Sequence, residues 1–325
     1  MKNSREAGDK KNILGLIKDD FLAPLPLPTG ERSNNAMNMV WRLNDTYMDV
    51  SDSTPSSAVS IMHCVLVISV FILLWISSGS VLKYVTDGMG FFVVFSSVIF
   101  PSIVIVALVF IKPREPVRFN RQRREVCVPN MKGGDYWLVP WETVKASVEQ
   151  YNVVSQGGVM TTSSLMIGFP NPNFTGEIKL NRHGYNDNPD AERLLWFPSG
   201  NAGMWELIRV YMEEGTGSVK VNTENFSLRK EGIIASYITY FKESVIKRGW
   251  PKALLWDGFC GLILFNTLLV DYINRKHLTP PPDLVGDEVE AWSQPIPPEQ
   301  WAKRSPELEQ ALQEYEVKQD KKSVA

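Results

Sequence analysis

Hydrophobic and polar positions change their pattern three times along the 325 residues. Two long runs, Ser53–Leu82 and Gly88–Ile111, carry no charge and are separated by a segment bearing Lys83 and Asp87. Each supplies the roughly 20 apolar residues that a helix needs to cross a hydrocarbon core. Backbone hydrogen bonds must close internally there, so the pattern predicts a transmembrane helical hairpin over residues 57–111, turning around Gly79–Met89. Pro101 lies inside the second run. The first run begins well beyond the first ~15–30 residues that a cleaved secretory signal occupies, so it reads as a signal anchor.

Beyond the hairpin the pattern becomes alternating. Pro116–Asn120 and Arg124–Pro129 flank a short turn, and Tyr136–Val139 forms the next strand, ended by Pro140. Ala146–Val154, Val159–Phe169 and Glu177–Leu180 are further predicted strands. In Ala202–Glu213 the residues Trp205, Ile208 and Met212 recur at helical spacing, with Gly215 as the stop. Strands followed by one amphipathic helix predict a small curved antiparallel sheet closed by a C-terminal helix, the outline of a pleckstrin-homology-like module. Residues 217–278 read as a helical extension with an amphipathic helix over Ile233–Ile246. Pro251 opens a second, apolar helix over Ala253–Ile273. Asp257 and the flanking Lys247, Arg248, Lys252, Arg275 and Lys276 favour a helix lying on the cytoplasmic leaflet or packed on the hairpin and sheet, with a third span as the alternative. Residues 1–56 read as a polar arm in which Phe21–Pro28 is an extended proline-rich linker. Residues 279–325 form a proline-rich tail in which Trp292 and Trp301 are candidate pins, ending in a helix capped by Ser305 with Pro306 at its first position. The predicted fold class is therefore an α+β membrane protein. It comprises an arm (1–56), a two-helix hairpin (57–111), a pleckstrin-homology-like cytoplasmic domain (112–216), the helical extension and the tail.

Charge orients this scheme and removes several function classes. Lys112, Arg114, Arg118, Arg121, Arg123 and Arg124 crowd behind the second run, so the positive-inside rule predicts a multi-pass protein with both termini cytoplasmic. A net charge of −2 is no electrostatic footprint for nucleic acid. Cys64, Cys127 and Cys260 are too scattered for a disulfide framework or a metal site. His63, His183 and His277 show no ligand spacing, and the acids Asp187, Asp190 and Glu192 lack the spacing of a calcium hand. No nucleophile elbow or phosphate loop is present, so no cofactor, metal or catalytic set is predicted. The distinctive local chemistry is the basic hairpin Phe119–Val126 followed by Val139-Pro-Trp-Glu142. Arg118, Arg121, Arg123 and Arg124 are the candidate rim for a protein partner or for anionic lipid headgroups. Trp141 is the predicted core anchor, and Glu142 the partner of Arg121 or Arg124.

Asn44-Asp-Thr-Tyr-Met-Asp-Val50, the two-run hairpin, Pro116–Val126 and Val139–Glu142 occur here in one order. Over residues 40–280 the chain resembles an uncharacterised family of Gram-negative bacterial inner-membrane proteins. The resemblance implies a two-span anchor with a pleckstrin-homology-like cytoplasmic domain, encoded beside type VI secretion effectors, spike proteins or Rhs-type toxins. It supplies no catalytic residues. It implies a non-enzymatic inner-membrane binding protein, an immunity protein that neutralises a type VI secretion effector. The alternative is a membrane scaffold, adaptor or lipid-sensing accessory of a secretion system. The expected partners are an effector, toxin or secretion component, the membrane itself and anionic lipids, without nucleic acid.

Overall fold

The computed structural model describes residues 7–13, 17–35, 39–51, 55–76, 92, 94–109, 114–130, 135–155, 158–181, 183–219, 232–273, 275 and 281–323. The chain divides into two compact units. The first comprises Met1–Asp52, Arg114–Val221 and Pro282–Ala325, and the second Ser53–Pro113 and Asn222–Pro281. In chain order the helices are α1 (Pro55–Ile76), α2 (Phe100–Val109), α3 (Ala202–Glu214), α4 (Ile233–Arg248), α5 (Trp250–Leu264), α6 (Thr267–Ile273), α7 (Asp287–Trp292) and α8 (Pro306–Ser323).

The first unit holds two antiparallel five-stranded sheets. One runs in the order β1 (Lys10–Ile13), β2 (Ile17–Ala23), β8 (Lys145–Ser155), β9 (Gly158–Pro170), β10 (Glu192–Pro198). The other is a meander of β3 (Val40–Leu43), β4 (Tyr47–Val50), β5 (Val117–Asn120), β6 (Glu125–Pro129) and β7 (Tyr136–Pro140). The expected single small sheet is thereby corrected to two, because the N-terminal residues form strands rather than a linker. Tyr47–Val50 pairs with Val117–Asn120 and buries Met48 and Val50 completely. Ile17–Ala23 alternates buried and less buried positions, and it pairs with β8 across a bulge between Phe21 and Ala23. Glu177–Leu180 forms no strand; Leu180 makes one isolated bridge to Asn186.

Inward residues of both sheets and of α3 share one core. Trp141 stacks on Trp205 at 5.2 Å, and Phe119 meets Trp141 and Phe169 edge-on at 5.9 Å. Each such side chain contributes about 1.5–3 kcal/mol by leaving water. Helix α3 starts where the Asn201 side chain accepts from the Met204 N–H, and it stops at Gly215 with φ +96°. At Gly203 a Cβ would lie 2.5 Å from the Arg32 carbonyl, so only glycine lets the segment before β3 cross this helix.

The second unit corrects the membrane reading. Among the described residues no single helix is long and apolar enough to cross a membrane. The apolar parts of α1 and the α2 region are Ser60–Ile72 and Phe95–Ala107, each about 20 Å long, against the roughly 30 Å of a hydrocarbon core. The wide π-helical turn Phe95–Ile99 leads into Pro101, and Ser102 returns its hydroxyl to the Val98 carbonyl at 2.7 Å. The predicted turn at Gly79–Met89 and residues Lys83, Asp87 and Lys112 lie outside the described residues. The expected two-span hairpin, multi-pass inner-membrane location and cytoplasmic termini are therefore not supported. Nor is Ala253–Ile273 one straight helix: α5 is π-wound over Leu254–Leu264, and it meets α6 at a 58° bend around Asn266, whose φ is +45°. By length and composition only this bent pair, taken together, passes as a candidate among the described residues. Asp257 is buried, accepts a hydrogen bond from Ser244, and lies 3.7 Å from Arg248.

Candidate functional site

Hairpin β5–β6 directs its arginines into the protein rather than to a rim. Arg118 stands opposite Asp49 on β4 and grips it with Nε and Nη2 at 2.7 and 2.8 Å. Its remaining donors reach Asp283 at 2.6 Å and Ser293 at 2.9 Å, and Arg42 adds a second cation to Asp49 at 2.8 Å. Burial opposes the Arg118 charge, but the hydrogen bonds and charges of Asp49 and Asp283 outweigh it and hold the guanidinium protonated. Arg124, in the left-handed region at φ 50°, bridges Glu142 and Glu213, with 2.8 Å contacts to each. Trp141 donates from its indole to Glu213 at 2.9 Å, so it is both core anchor and part of the clamp. Burial pushes the Glu213 carboxyl up, yet Arg124, Arg304 and Trp141 together hold it below the usual carboxylate range. Of the two partners expected for Glu142, the hydrogen bonds go to Arg124.

The tail closes over this hairpin. Leu284, Val289 and Trp292 cover Cys127, whose thiol burial pushes up to about 12. The Trp292 indole donates to Glu125 at 2.8 Å, and its carbonyl accepts from Asn120 and Arg123. The Arg121 guanidinium lies 5.1 Å over the Trp301 ring. Gln122 accepts from Ile296, Ala302 donates to the Gln122 carbonyl, and Ser305 donates to Glu142. The predicted site residues Arg118, Arg121, Arg123, Arg124, Trp141 and Glu142 are thus brought together as an internal clamp that fixes the tail.

A second polar cluster lies on the other sheet. Asp19 of β2 and Glu149 of β8 are direct cross-strand partners and are buried. The loop after β9 brings His183 above them, with Nδ1 at 2.5 Å from Glu149 Oε1 and 4.0 Å from Asp19 Oδ2. One asparagine shapes that loop: the Asn181 side chain accepts from the His183 and Tyr185 amides at 2.9 and 3.1 Å. Tyr185 then seats its hydroxyl against Ser147 of β8, and Lys145 holds the Gly184 carbonyl. Tyr151 donates to the other oxygen of Glu149. One ligand atom from each of Asp19, Glu149 and His183 lies within 4.8 Å of the others, and among the described residues this is the one group of three potential metal donors so placed.

Sequence reasoning missed this cluster because its members are brought together only by strand register and a loop closure. The available signal was a carboxylate on the buried phase of an alternating strand, Asp19 between Ile17 and Phe21. The acids of the neighbouring loop do not join it. Asp187 pairs with Asn181, while Glu192 is buried against Lys145, with burial raising its carboxyl pKa. His63 sits in the second unit, with Nε2 3.2 Å from the Ile263 carbonyl, and His277 lies outside the described residues. No protein-family model, curated protein or solved structure matches this chain.

Proposed function

We propose that this is a non-catalytic binding protein whose partner is another protein, and that neutralising a toxin is the form the binding takes. The observation that carries the reading is the apolar surface of the second unit. Phe71, Trp75, Trp250, Leu255, Trp256 and Phe259 are all exposed there, Trp75 at 87 %. Large exposed aromatic and aliphatic side chains of this kind mark interaction sites. Toxin neutralisation is what the resemblance of Asn44–Val50, Pro116–Val126 and Val139–Glu142 implies. The lipid-headgroup alternative loses support because Arg118 and Arg124 are buried in ion pairs, while Arg121 and Arg123 are occupied by the tail.

Two measurements test the reading. A strain lacking the gene is grown beside toxin-armed siblings, and loss of survival is expected. Undiminished survival removes the toxin-neutralising role. The double variant Trp75→Ser, Leu255→Ser is then titrated against the purified product of the neighbouring effector gene. A loss of at least about 30-fold is expected if these side chains are anchors, and unchanged affinity removes this surface from the interface.

A further inference from the structure

We infer that Asp19, Glu149 and His183, joined by the hydroxyl of Ser164, form a binding site for one divalent transition cation of the zinc or manganese type. This site is independent of the protein-binding surface on the second unit. Its donor set combines two carboxylates, one imidazole and no thiolate. Carboxylate suits manganese, imidazole suits zinc, and both metals accept the mixture, whereas calcium and magnesium take oxygen alone. The three donors come from three separate parts of the chain, and their ligand atoms already lie within 4.8 Å of one another. Zinc holds nitrogen and carboxylate oxygen at about 2.0–2.2 Å, so donors around it sit roughly 3–3.5 Å apart. His183 and Glu149, at 2.5 Å, then need only a small side-chain rotation apart to admit the ion.

Ser164 supplies a second, independent observation. It is 4 % exposed, and its hydroxyl has no hydrogen-bond partner among the described residues. Its position is set by register: Ser164 on β9 pairs with Glu149 on β8, which pairs with Asp19 on β2. Directly opposite residues of an antiparallel sheet present their side chains on the same face, with Cβ atoms about 4.5–5.5 Å apart. The neighbouring Leu165 and Ile167 point the other way, into the core, so Ser164 lies on the same face of the sheet as the two carboxylates. A buried hydroxyl without a partner is costly, and a cation at the carboxylates gives its oxygen lone pairs something to bind.

The surroundings are those of a preorganised site. Paired strands fix Asp19, Glu149 and Ser164, while the Asn181 turn fixes His183. The Tyr151 hydroxyl engages Glu149 Oε2, and Glu149 Oε1 is the oxygen next to His183. Such supporting hydrogen bonds orient metal ligands and sharpen affinity. Because Asp19 and Glu149 are buried and His183 is largely covered, the ion is structural: it ties the His183 loop to strands β2 and β8.

The test uses the full chain, stripped with chelator and titrated calorimetrically with zinc and manganese, with magnesium and calcium as comparators. One equivalent of zinc or manganese is expected to bind, with little uptake of the comparators. His183→Ala, on a half-buried loop, should weaken binding by at least about tenfold. Glu149→Gln should weaken it further, and Ser164→Ala less. Because a carboxylate variant could misfold, cobalt is added as a second probe. A visible d–d band with wild type that is absent from folded His183→Ala supports the site. Absence of stoichiometric zinc and manganese uptake by wild type overturns the proposal, as does binding that both His183→Ala and Glu149→Gln leave unchanged.

Discussion

At Asp49–Arg118 on β4–β5 and at Asp19–Glu149 on β2–β8, two buried charged residues face each other across neighbouring strands. The first pairing joins opposite charges, and the chain has completed it: Arg42, Asp283 and Ser293 take up the remaining donors and acceptors. The second opposes two acids, and the His183 imidazole and the Tyr151 hydroxyl reach Glu149 while Ser164 stands opposite it on β9. A closed ion-pair network locks a fold in place, here by holding the tail on hairpin β5–β6. An acid pair that shares a face with an unsatisfied hydroxyl is instead organised for something added from outside. Identical cross-strand geometry thus serves architecture in one sheet and binding in the other.

Removing an acid should separate the two sites most strongly at Asp49. Asp49→Ala leaves Arg118 buried with one exposed carboxylate, and such breakage costs about 3–5 kcal/mol, read as a lower midpoint in urea unfolding. Next in size, Trp292→Ala should cost about 3 kcal/mol and uncover Cys127. Site-resolved labelling by a thiol reagent, negligible at Cys127 in wild type, should then become rapid there. Glu213→Gln should cost about 1–3 kcal/mol near neutral pH, by weakening the hydrogen bonds to Arg124, Arg304 and Trp141. The folded carboxyl titrates below its unfolded value, so its contribution is full above the unfolded pKa and is lost as pH falls through the folded one. The gap between wild type and Glu213→Gln should therefore be constant above about pH 5 and close progressively below about 4.3. Smallest of all, Ser164→Ala in chelator-treated protein should leave stability within about 1 kcal/mol of wild type or raise it, since an unmade hydrogen bond is removed. A marked loss there would place Ser164 on the architectural side of the contrast.

Local elements stand close to where periodicity puts them. The helix expected at Ala202–Glu213 is α3, Ala202–Glu214, and the strands expected at Ala146–Val154 and Val159–Phe169 are β8 and β9, each longer by one residue at either end. Trp141 as anchor and Glu142 as ion-pair partner both stand in the clamp with Arg124. The proline-rich start of the chain was misread because Pro24, Pro26 and Pro28 suggest a linker, whereas Ile17–Ala23 immediately before them is a strand of the larger sheet. The uncharged runs were misread for a different reason. Composition along a run does not reveal where a helix widens or stops, and the π turn at Phe95–Ile99 is such a change inside the second run.

Alternation and helical spacing are properties of neighbours in the chain, so the residues alone place β8, β9 and α3, the apolar face of α3 and the tryptophan that anchors the hairpin. Pairing is a property of the folded chain. That Arg118 meets Asp283 and Ser293, or that Asp19, Glu149, Ser164 and His183 share one face, follows from register and loop closure across separations of up to 165 and 175 residues for the two Arg118 contacts. Arginines that read in sequence as a basic rim are instead engaged because Asp49, Glu142 and Glu213 meet them within the sheet and α3, and the tail adds Asp283 and two tryptophans. Desolvating such charges is tolerable only once their partners are in place, and only the tertiary structure brings the partners there.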